Sequence, residues 1–435
     1  MAFAFANTSP SGGTPVDLAC IPARTTRRST RRPDTTGGTT SHMRLRTALI
    51  AAGVAVATAA VTTPAGQAAA PDSLEAISAE PFALNDQHDT YADRVRALDE
   101  KLPNAKVGDV LADTNRTGGQ GCSYPGSSEA EGFCWGQGDD STEAWIPQGL
   151  TASWDADPSG KVDGHRALVT SWYEKGGADR GVRVTFANHD DPKKPKYRHA
   201  ILVAPTADGG IAPVKTHAGG IAWVGDNLYV ADTWGGLRVF DLRHIWKGAA
   251  DPTHEAFKVD GDKVLAADYR YVIPQVGRYC VPSPSDASKC NGDGGSPSKD
   301  VLRTSFIGVD RQSGRLVTGE FHDQDTGKRL VRWPLAADGS LKADGGKVKA
   351  AEAYRVPHAR MQGGVSVGDT FYTTSSENGA PGAWHRMRAG EKPATEGLGI
   401  QGPEDMTYDP ASKRVWTLSE HANKRAVFPI PGAGG

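Results

Sequence analysis

The chain repeats one short pattern several times: a glycine-containing start, a strand, a tight turn and a second strand. Four copies carry the glycine start, and a fifth keeps only the strand–turn–strand shape; they lie at 146–155, 217–242, 361–376 and 400–420, and at 305–321. Divergent repeats of this kind are typical of β-propeller blades, which surround a central channel. Glycine suits the start because the innermost strands crowd around the channel, where a side chain would clash.

The repeats predict an all-β fold, a β-propeller that runs from 145 to 435. Five blades are favoured, and a sixth could lie in 243–302, although the Gly, Pro and Ser content of that stretch favours an insertion. A β-sandwich is the alternative architecture. It fits less well, because its strands are evenly spaced and lack a repeated glycine start.

One helix is predicted ahead of the repeats, within a region from 71 to 144 that is otherwise rich in loops. Thr90 can cap it and Pro103 marks its end. Apolar side chains between them recur at helical spacing, at Tyr91, Val95, Leu98 and Leu102. This single apolar stripe predicts that the helix docks on the repeat domain.

The segment 43–70 predicts export. It has two arginines, then an apolar run, then small residues, which are the three parts of a secretory signal peptide. The apolar run is short for a bilayer, so we expect no membrane span after cleavage and a secreted, extracellular protein. Residues 1–42 carry no core-forming pattern and are interpreted as a disordered extension or a start assigned too far upstream.

The cysteines agree with export. Cys20 precedes the predicted signal peptide, and the other four fall into two close pairs, Cys122 with Cys134 and Cys280 with Cys290. Four cysteines allow three pairings, and local spacing favours the near-neighbour one. Neither pair has CxxC spacing or a nearby histidine cluster, so disulfides are expected rather than a zinc site.

The charge balance argues against nucleic acid as a partner. Lys and Arg number 49 against 51 for Asp and Glu, which gives a net charge of −2. Removal of the basic leader makes the mature chain more acidic still. A nucleic-acid-binding domain is instead expected to carry a basic patch.

Polar side chains recur where the repeats begin. Gln148, Gln362 and Gln401 lie at equivalent points of three repeats, and His217 lies one residue earlier in a fourth. If the repeats align, all four face one mouth of the central channel, where amide and imidazole groups suit a sugar or another small polar ligand. The same side chains could instead hold neighbouring blades in register.

Two tryptophans lie in predicted loops near glycines, Trp234 before Gly235 and Trp384 shortly after Gly382. Their flat rings could stack on sugars or could pack between blades. Together with the polar side chains they predict a secreted protein that binds a glycan or another cell-envelope component at the channel mouth.

Three carboxylates add an alternative function. Asp232, Glu404 and Asp405 lie in or next to repeat strands and could bind Ca²⁺ or another divalent metal, although the sequence requires no cofactor. The carboxylates could also act as general acid and base. The chain has no G-x-S-x-G, H-E-x-x-H, P-loop or Rossmann motif, so no catalytic residue is assigned.

The segments HAGGIAW, LYVADT, GLRVFDL and GPEDMTYD resemble blades of gluconolactonase and senescence-marker propellers, and of strictosidine-synthase-like and NHL propellers. In the lactonases a Glu, an Asn and an Asp hold a catalytic metal. This chain has Ala218 or Gly219 where the Asn is expected, and Glu404 follows its Gly-Pro pair rather than preceding it. The resemblance implies a propeller and, as the alternative function, a metal-dependent lactonase or esterase that uses the three carboxylates and His217.

Overall fold

The structure is a computed structural model that describes residues 71–119, 122–127, 131–323 and 328–434. The predicted signal peptide, the extension before it and Cys20 lie outside the described residues. The described chain is mostly β, as predicted. Its helices are short, and none is long and apolar enough to cross a membrane. Within the described residues they are α1 (Ala92–Asp99), α2 (Val107–Ala112), α3 (Gln137–Ser141) and α4 (Ser153–Ala156).

The strands follow one another closely along the chain. The first are β1 (Glu75–Ile77), β2 (Ala83–Gln87), β3 (Asn104–Ala105), β4 (Arg116–Thr117), β5 (Phe133–Cys134), β6 (Trp145–Ala152), β7 (Ala167–Glu174), β8 (Val182–Asn188), β9 (Lys196–Pro205) and β10 (Ile211–Pro213). The next are β11 (Ile221–Val224), β12 (Asn227–Asp232), β13 (Gly236–Asp241), β14 (Ile245–Lys247), β15 (Phe257–Asp260), β16 (Lys263–Ala266), β17 (Tyr271–Cys280), β18 (Pro282–Ser283) and β19 (Asp286–Cys290). The last are β20 (Phe306–Asp310), β21 (Arg315–Gly319), β22 (Arg329–Pro334), β23 (Ala343–Asp344), β24 (Lys347–Lys349), β25 (Glu352–Arg355), β26 (Met361–Val367), β27 (Thr370–Glu377), β28 (Ala380–Met387), β29 (Ala394–Gly397), β30 (Pro403–Asp409), β31 (Arg414–Ser419) and β32 (Ala426–Gly434).

Most of these strands fall into five antiparallel groups in the described part of the chain, which we number in chain order. Group 1 is β6-β7-β8-β9, group 2 is β11-β12-β13-β17, group 3 is β20-β21-β22-β25-β1, group 4 is β26-β27-β28-β29 and group 5 is β30-β31-β32-β5. Groups 1 and 2 are joined, because the beginning of β17 pairs in parallel with β9 and its end pairs with β13.

The first strands of the groups form a ring. β6 contacts β11, β11 contacts β20, β20 contacts β26, β26 contacts β30, and β30 returns to β6. The fold is therefore propeller-like. The first strands also come close enough to exclude side chains: a Cβ on Gly220 would lie 2.4 Å from the backbone nitrogen of Ile307, and one on Gly363 would lie 2.5 Å from the Cα of Asp405.

This crowding makes the Gly220→Ala substitution costly. We expect it to lower the free energy of unfolding by about 1–3 kcal/mol, because the added methyl group clashes with the backbone of β20, which cannot move aside as a side chain could. Urea unfolding followed by tryptophan fluorescence measures the loss. Gly138→Ala is the matched control, since a Cβ there meets nothing within 4 Å. Equal stability of the two variants would contradict the steric explanation.

The N-terminal region completes groups that arise late in the chain. β1 pairs with β25 at the outer edge of group 3, and β5 pairs with β32 at the edge of group 5. Between them, α1 packs on β17 through the buried side chains of Val95 and Leu98. Thr90 does not cap this helix. Tyr91 is the N-cap and makes no side-chain hydrogen bond there, and the backbone nitrogen of Thr90 donates to the Gln87 carbonyl in the preceding turn.

The predicted insertion at 243–302 is not wholly outside the sheets. It contains β17, which is the outer strand of group 2, together with two small hairpins, β15–β16 and β18–β19. The predicted disulfides are confirmed. Cys122 and Cys134 have a Cα–Cα distance of 6.1 Å, and Cys280 and Cys290 one of 5.5 Å, both within the usual range.

The core lies between neighbouring groups and is rich in tryptophan. Trp154 of α4 and Trp416 of β31 are both buried, with ring centroids 5.8 Å apart. The indole nitrogen of Trp154 also donates a hydrogen bond to the Thr407 hydroxyl at 2.9 Å. These contacts join group 1 to group 5 and so hold the ring closed at the point where its last and first strands meet.

Candidate functional site

A cavity of about 340 Å³ opens at one end of the ring, and we call it the mouth cavity. All five strand groups, or the loops next to them, contribute to its wall. The lining residues are Gln148, His217, Gly219, Thr233, Trp234, Arg303, Ser305, Phe321, Gln362, Glu404 and Glu420. The starts of the first strands therefore converge on one polar cavity.

Four side chains predicted to bind a ligand lie in this wall. Gln148 is buried, and its amide nitrogen donates to the Glu420 carboxylate at 3.0 Å. The Gln362 amide nitrogen donates to the Ser376 hydroxyl at 3.0 Å. Among the described residues nothing donates to either amide oxygen, so both amides are oriented yet keep an acceptor for a ligand.

His217 and Trp234, the other two, lie near the rim. The His217 ring stacks on Tyr173 with centroids 4.7 Å apart. The side chain of His217 still reaches solvent, but neighbouring protein atoms desolvate its ring and lower its pKa, so the imidazole is neutral at pH 7. The half-buried Trp234 has the guanidinium of Arg303 4.6 Å from its ring centroid.

Gln401 and Trp384 lie outside the mouth cavity. The amide nitrogen of Gln401 donates to the Gly379 carbonyl at 2.7 Å, and its amide oxygen accepts from Lys424 at 2.9 Å. Trp384 is only 4 % exposed and packs in the core near Tyr372. Neither side chain is available to a ligand in the cavity.

Glu404 is the most unusual group in the wall. It is the second residue of β30 and only 2 % exposed, yet it lines the cavity. No hydrogen bond reaches its carboxyl from any residue that the structure describes. Burial raises its pKa well above the usual range, and the nearby charges of Glu420 and Asp405 raise it further. These surroundings favour the protonated form of the Glu404 carboxyl, which can donate a hydrogen bond.

The next residue, Asp405, has a different role. One of its carboxyl oxygens accepts hydrogen bonds from the backbone nitrogens of Leu150 and Ile221, each at 3.0 Å. These bonds tie β30 to β6 and β11 inside the ring. Burial dominates its electrostatics and raises its pKa well above the usual range. Asp405 thus connects first strands and does not line the mouth cavity.

The three carboxylates considered for a metal are not brought together. Glu404 lines the mouth cavity, whereas the Asp405 carboxyl is engaged by backbone nitrogens of β6 and β11 inside the ring. Asp232 forms an ion pair with Arg238 at 2.8 Å within its own group. In the described ranges no group of three or more His, Cys, Asp or Glu side chains is placed to hold a metal ion.

Several residues of the cavity wall were not predicted, although the repeat pattern indicates some of them. Thr233, Phe321 and Glu420 each lie one or two residues beyond the second strand of their group, at the ends of β12, β21 and β31. Aligning the ends of the second strands, as well as the starts of the first, would have found them. Arg303 precedes its repeat and carried no such signal.

Comparison with known proteins assigns no family. No family model matches the chain, and no curated protein sequence matches it. Among solved structures it is similar to hydrazine synthase of Kuenenia stuttgartiensis, with 14% identity over 68% of this chain and 89% of that one, at a TM-score of 0.28. A gluconolactonase of Xanthomonas campestris is 12% identical over 73% of this chain and 98% of that one, at a TM-score of 0.32. A prolyl endopeptidase is 14% identical over 80% of this chain and 45% of that one, at a TM-score of 0.26. TM-scores this low carry no argument about function.

Proposed function

We propose that the protein is an exported five-bladed propeller whose mouth cavity binds a sugar unit of an extracellular glycan or cell-envelope component. The observation that carries the proposal is the convergence of hydrogen-bonding side chains from all five strand groups on one cavity of about 340 Å³. Pockets of a few hundred Å³ with a few placed polar groups and apolar surface are typical small-molecule sites.

The lining provides both kinds of contact that a sugar needs. The amide oxygens of Gln148 and Gln362 accept hydrogen bonds, while the Arg303 guanidinium and, in its protonated form, the Glu404 carboxyl donate them. Trp234 supplies aromatic surface for the C–H face of a ring. A neutral polyhydroxylated ligand matches this mixture, because each of its hydroxyls can both donate and accept.

Export rests on separate support. Both disulfides are of the kind that persists in an oxidising secreted or periplasmic environment. They lie at strand ends, where the Cys280 pair joins the end of β17 to β19 and the Cys134 pair holds β5. The predicted leader at 43–70 supplies the route out of the cell.

A pair of glutamines tests the site. We expect Gln362→Ala to weaken glycan binding roughly tenfold, because one oriented hydrogen-bonding group is removed from the cavity. A glycan array identifies the ligand and isothermal titration calorimetry measures the affinity. Gln401→Ala is the matched control, since it removes the same side chain at the corresponding repeat position outside the cavity, and we expect unchanged affinity.

Thermal melts check that both variants are folded. The proposal fails if Gln362→Ala binds as tightly as the wild type. It also fails if Gln401→Ala weakens binding to the same extent, because the ligand would then sit elsewhere on the protein.

A further inference from the structure

The mouth cavity has a neighbour. A second cavity of about 600 Å³, which we call the side cavity, is lined by Tyr173, Lys175, Glu420, His421 and Arg425, among others. Glu420 lines both cavities. Tyr173 of the side cavity also stacks on His217 of the mouth cavity. The two cavities therefore adjoin, with Glu420 at their junction.

This arrangement bears on the shape of the ligand. If the mouth cavity binds one sugar unit, as proposed above, a longer saccharide can continue past Glu420 into the side cavity. The bond between the two units then lies over the junction. The inference that follows rests on the proposed function, because it requires a saccharide in the mouth cavity.

Two carboxyl groups in unlike surroundings line the mouth cavity, and one of them, Glu420, lies at the junction. Glu404 is almost fully buried and its carboxyl has no hydrogen-bond partner among the described residues. Glu420 has a side chain that is 24% exposed, and one of its oxygens accepts from the Gln148 amide at 3.0 Å. Tyr173 lines the side cavity together with Glu420.

We propose that the protein hydrolyses the glycosidic bond of an oligosaccharide that lies across both cavities, with Glu404 as general acid and Glu420 as general base. The Glu404 carboxyl gives its proton to the bridging oxygen as the bond from that oxygen to the anomeric carbon breaks. The bonding electron pair stays with the oxygen, which leaves as a hydroxyl group. Water attacks the same carbon, and Glu420 takes the proton that this water loses. Solvent then returns a proton to Glu404 and removes one from Glu420.

The surroundings of the two groups fit these roles. A general acid must hold a proton, and the burial of Glu404 in the cavity wall favours its protonated form. A general base needs access to water, which the partly exposed Glu420 has. Its hydrogen bond from Gln148 fixes one oxygen and leaves the other for the water. Two carboxyl groups with divided roles are the usual machinery of glycoside hydrolysis.

Three variants test the proposal. The substrates are reducing-end-labelled oligosaccharides of four to eight units, chosen from those that bind on the array, and mass spectrometry follows their cleavage. We expect wild-type protein to cleave at least one of them, and Glu404→Gln and Glu420→Gln to be roughly 10²–10⁴-fold slower while binding stays within a few-fold. Glu396→Gln, at an exposed position of β29, is the control and should cleave at the wild-type rate.

The outcomes separate the two proposals. Binding without cleavage by the wild type overturns hydrolysis and leaves the binding proposal standing. Wild-type cleavage rates in Glu404→Gln or Glu420→Gln also overturn it. If no glycan binds at all, both proposals fall. Glu420 is partly exposed, so its variant gives a clear answer even if the buried Glu404→Gln substitution lowers the melting temperature.

Discussion

Replacing Arg332 by alanine lowers the free energy of unfolding by about 3–5 kcal/mol, the usual cost of breaking a buried ion pair. Arg332 lies in β22 with only 1% of its side chain exposed, and it pairs with the fully buried Asp310 of β20 at 2.5 Å. The same guanidinium donates to Glu352 at 2.8 Å and to the Gly368 carbonyl at 3.1 Å. Without it, Asp310 remains in the interior with its charge unpaired.

The ion pair lies between two strand groups, so we expect its loss to destabilise the whole fold rather than one group. The Asp310 carboxylate also accepts from the Ser366 hydroxyl of β26 at 2.7 Å, so the pair lies where groups 3 and 4 meet. Urea unfolding gives the free energy. Arg355→Ala is the matched control, because its ion pair with Glu75 is about half exposed on both sides. We expect that variant to lose less than about 1 kcal/mol.

A double substitution separates charge burial from packing. Arg332→Met with Asp310→Leu removes both charges at once, so we expect it to be more stable than Arg332→Ala alone. A loss below about 1 kcal/mol in Arg332→Ala would contradict the account of an unpaired buried charge.

Acid weakens the fold through buried histidines, and His385 is the clearest case. It is 6% exposed, its ring stacks on His358 with centroids 3.7 Å apart, and burial together with that neighbour lowers its pKa to about 3. Its ordinary value is 6.5. Between these values the unfolded chain binds a proton that the folded chain excludes. His385 therefore leaves the free energy of unfolding unchanged above pH 6.5 and lowers it progressively as the pH falls from 6.5 towards 3.

The expected loss from this one group is on the order of 3 kcal/mol at pH 4. Buried carboxyls act in the opposite direction: burial raises the pKa of Asp155 to about 7, so its protonation favours the folded state as the pH falls. The test therefore compares how the stabilities of a variant and of the wild type change with pH. We expect His385→Gln to lose less stability than the wild type between pH 7 and pH 4, whatever its stability at pH 7.

Urea unfolding at several pH values measures this difference. His254→Gln is the control, because its side chain is 65% exposed. If His385→Gln and His254→Gln follow the same pH dependence as the wild type, His385 does not couple folding to protonation.

The sequence predicts inner strands better than outer ones. Four of the five repeats contain the first and second strands of a group, because period-two alternation is a local signal. The repeat at 146–155 contains only the first strand, β6, and continues into α4. The strands β1 and β5 were not predicted, because their partners β25 and β32 lie far away in the chain. Such pairing leaves no local pattern.

The site shows the same division. Gln148 and Gln362 reach the mouth cavity because their repeats align in space as they do in sequence. Gln401 does not, because Gly402 adopts a positive φ of 60° and redirects the chain just after it. Glu404 was considered as a metal ligand or as a general acid or base, but its burial without a hydrogen-bond partner cannot be read from residue types.

The pairing of β1 and β5 with late strands has a consequence for synthesis. During synthesis from the N terminus, β1 and β5 are made long before β25 and β32. Each of the two early strands therefore lacks its pairing partner until the later strand has been synthesised. Chains that stop before β32 would leave β5 unpaired and group 5 with an open edge, which is a template for aggregation. Both pairings exist only after β25 and β32 have been made, so β32 is the strand that completes group 5 and closes the ring.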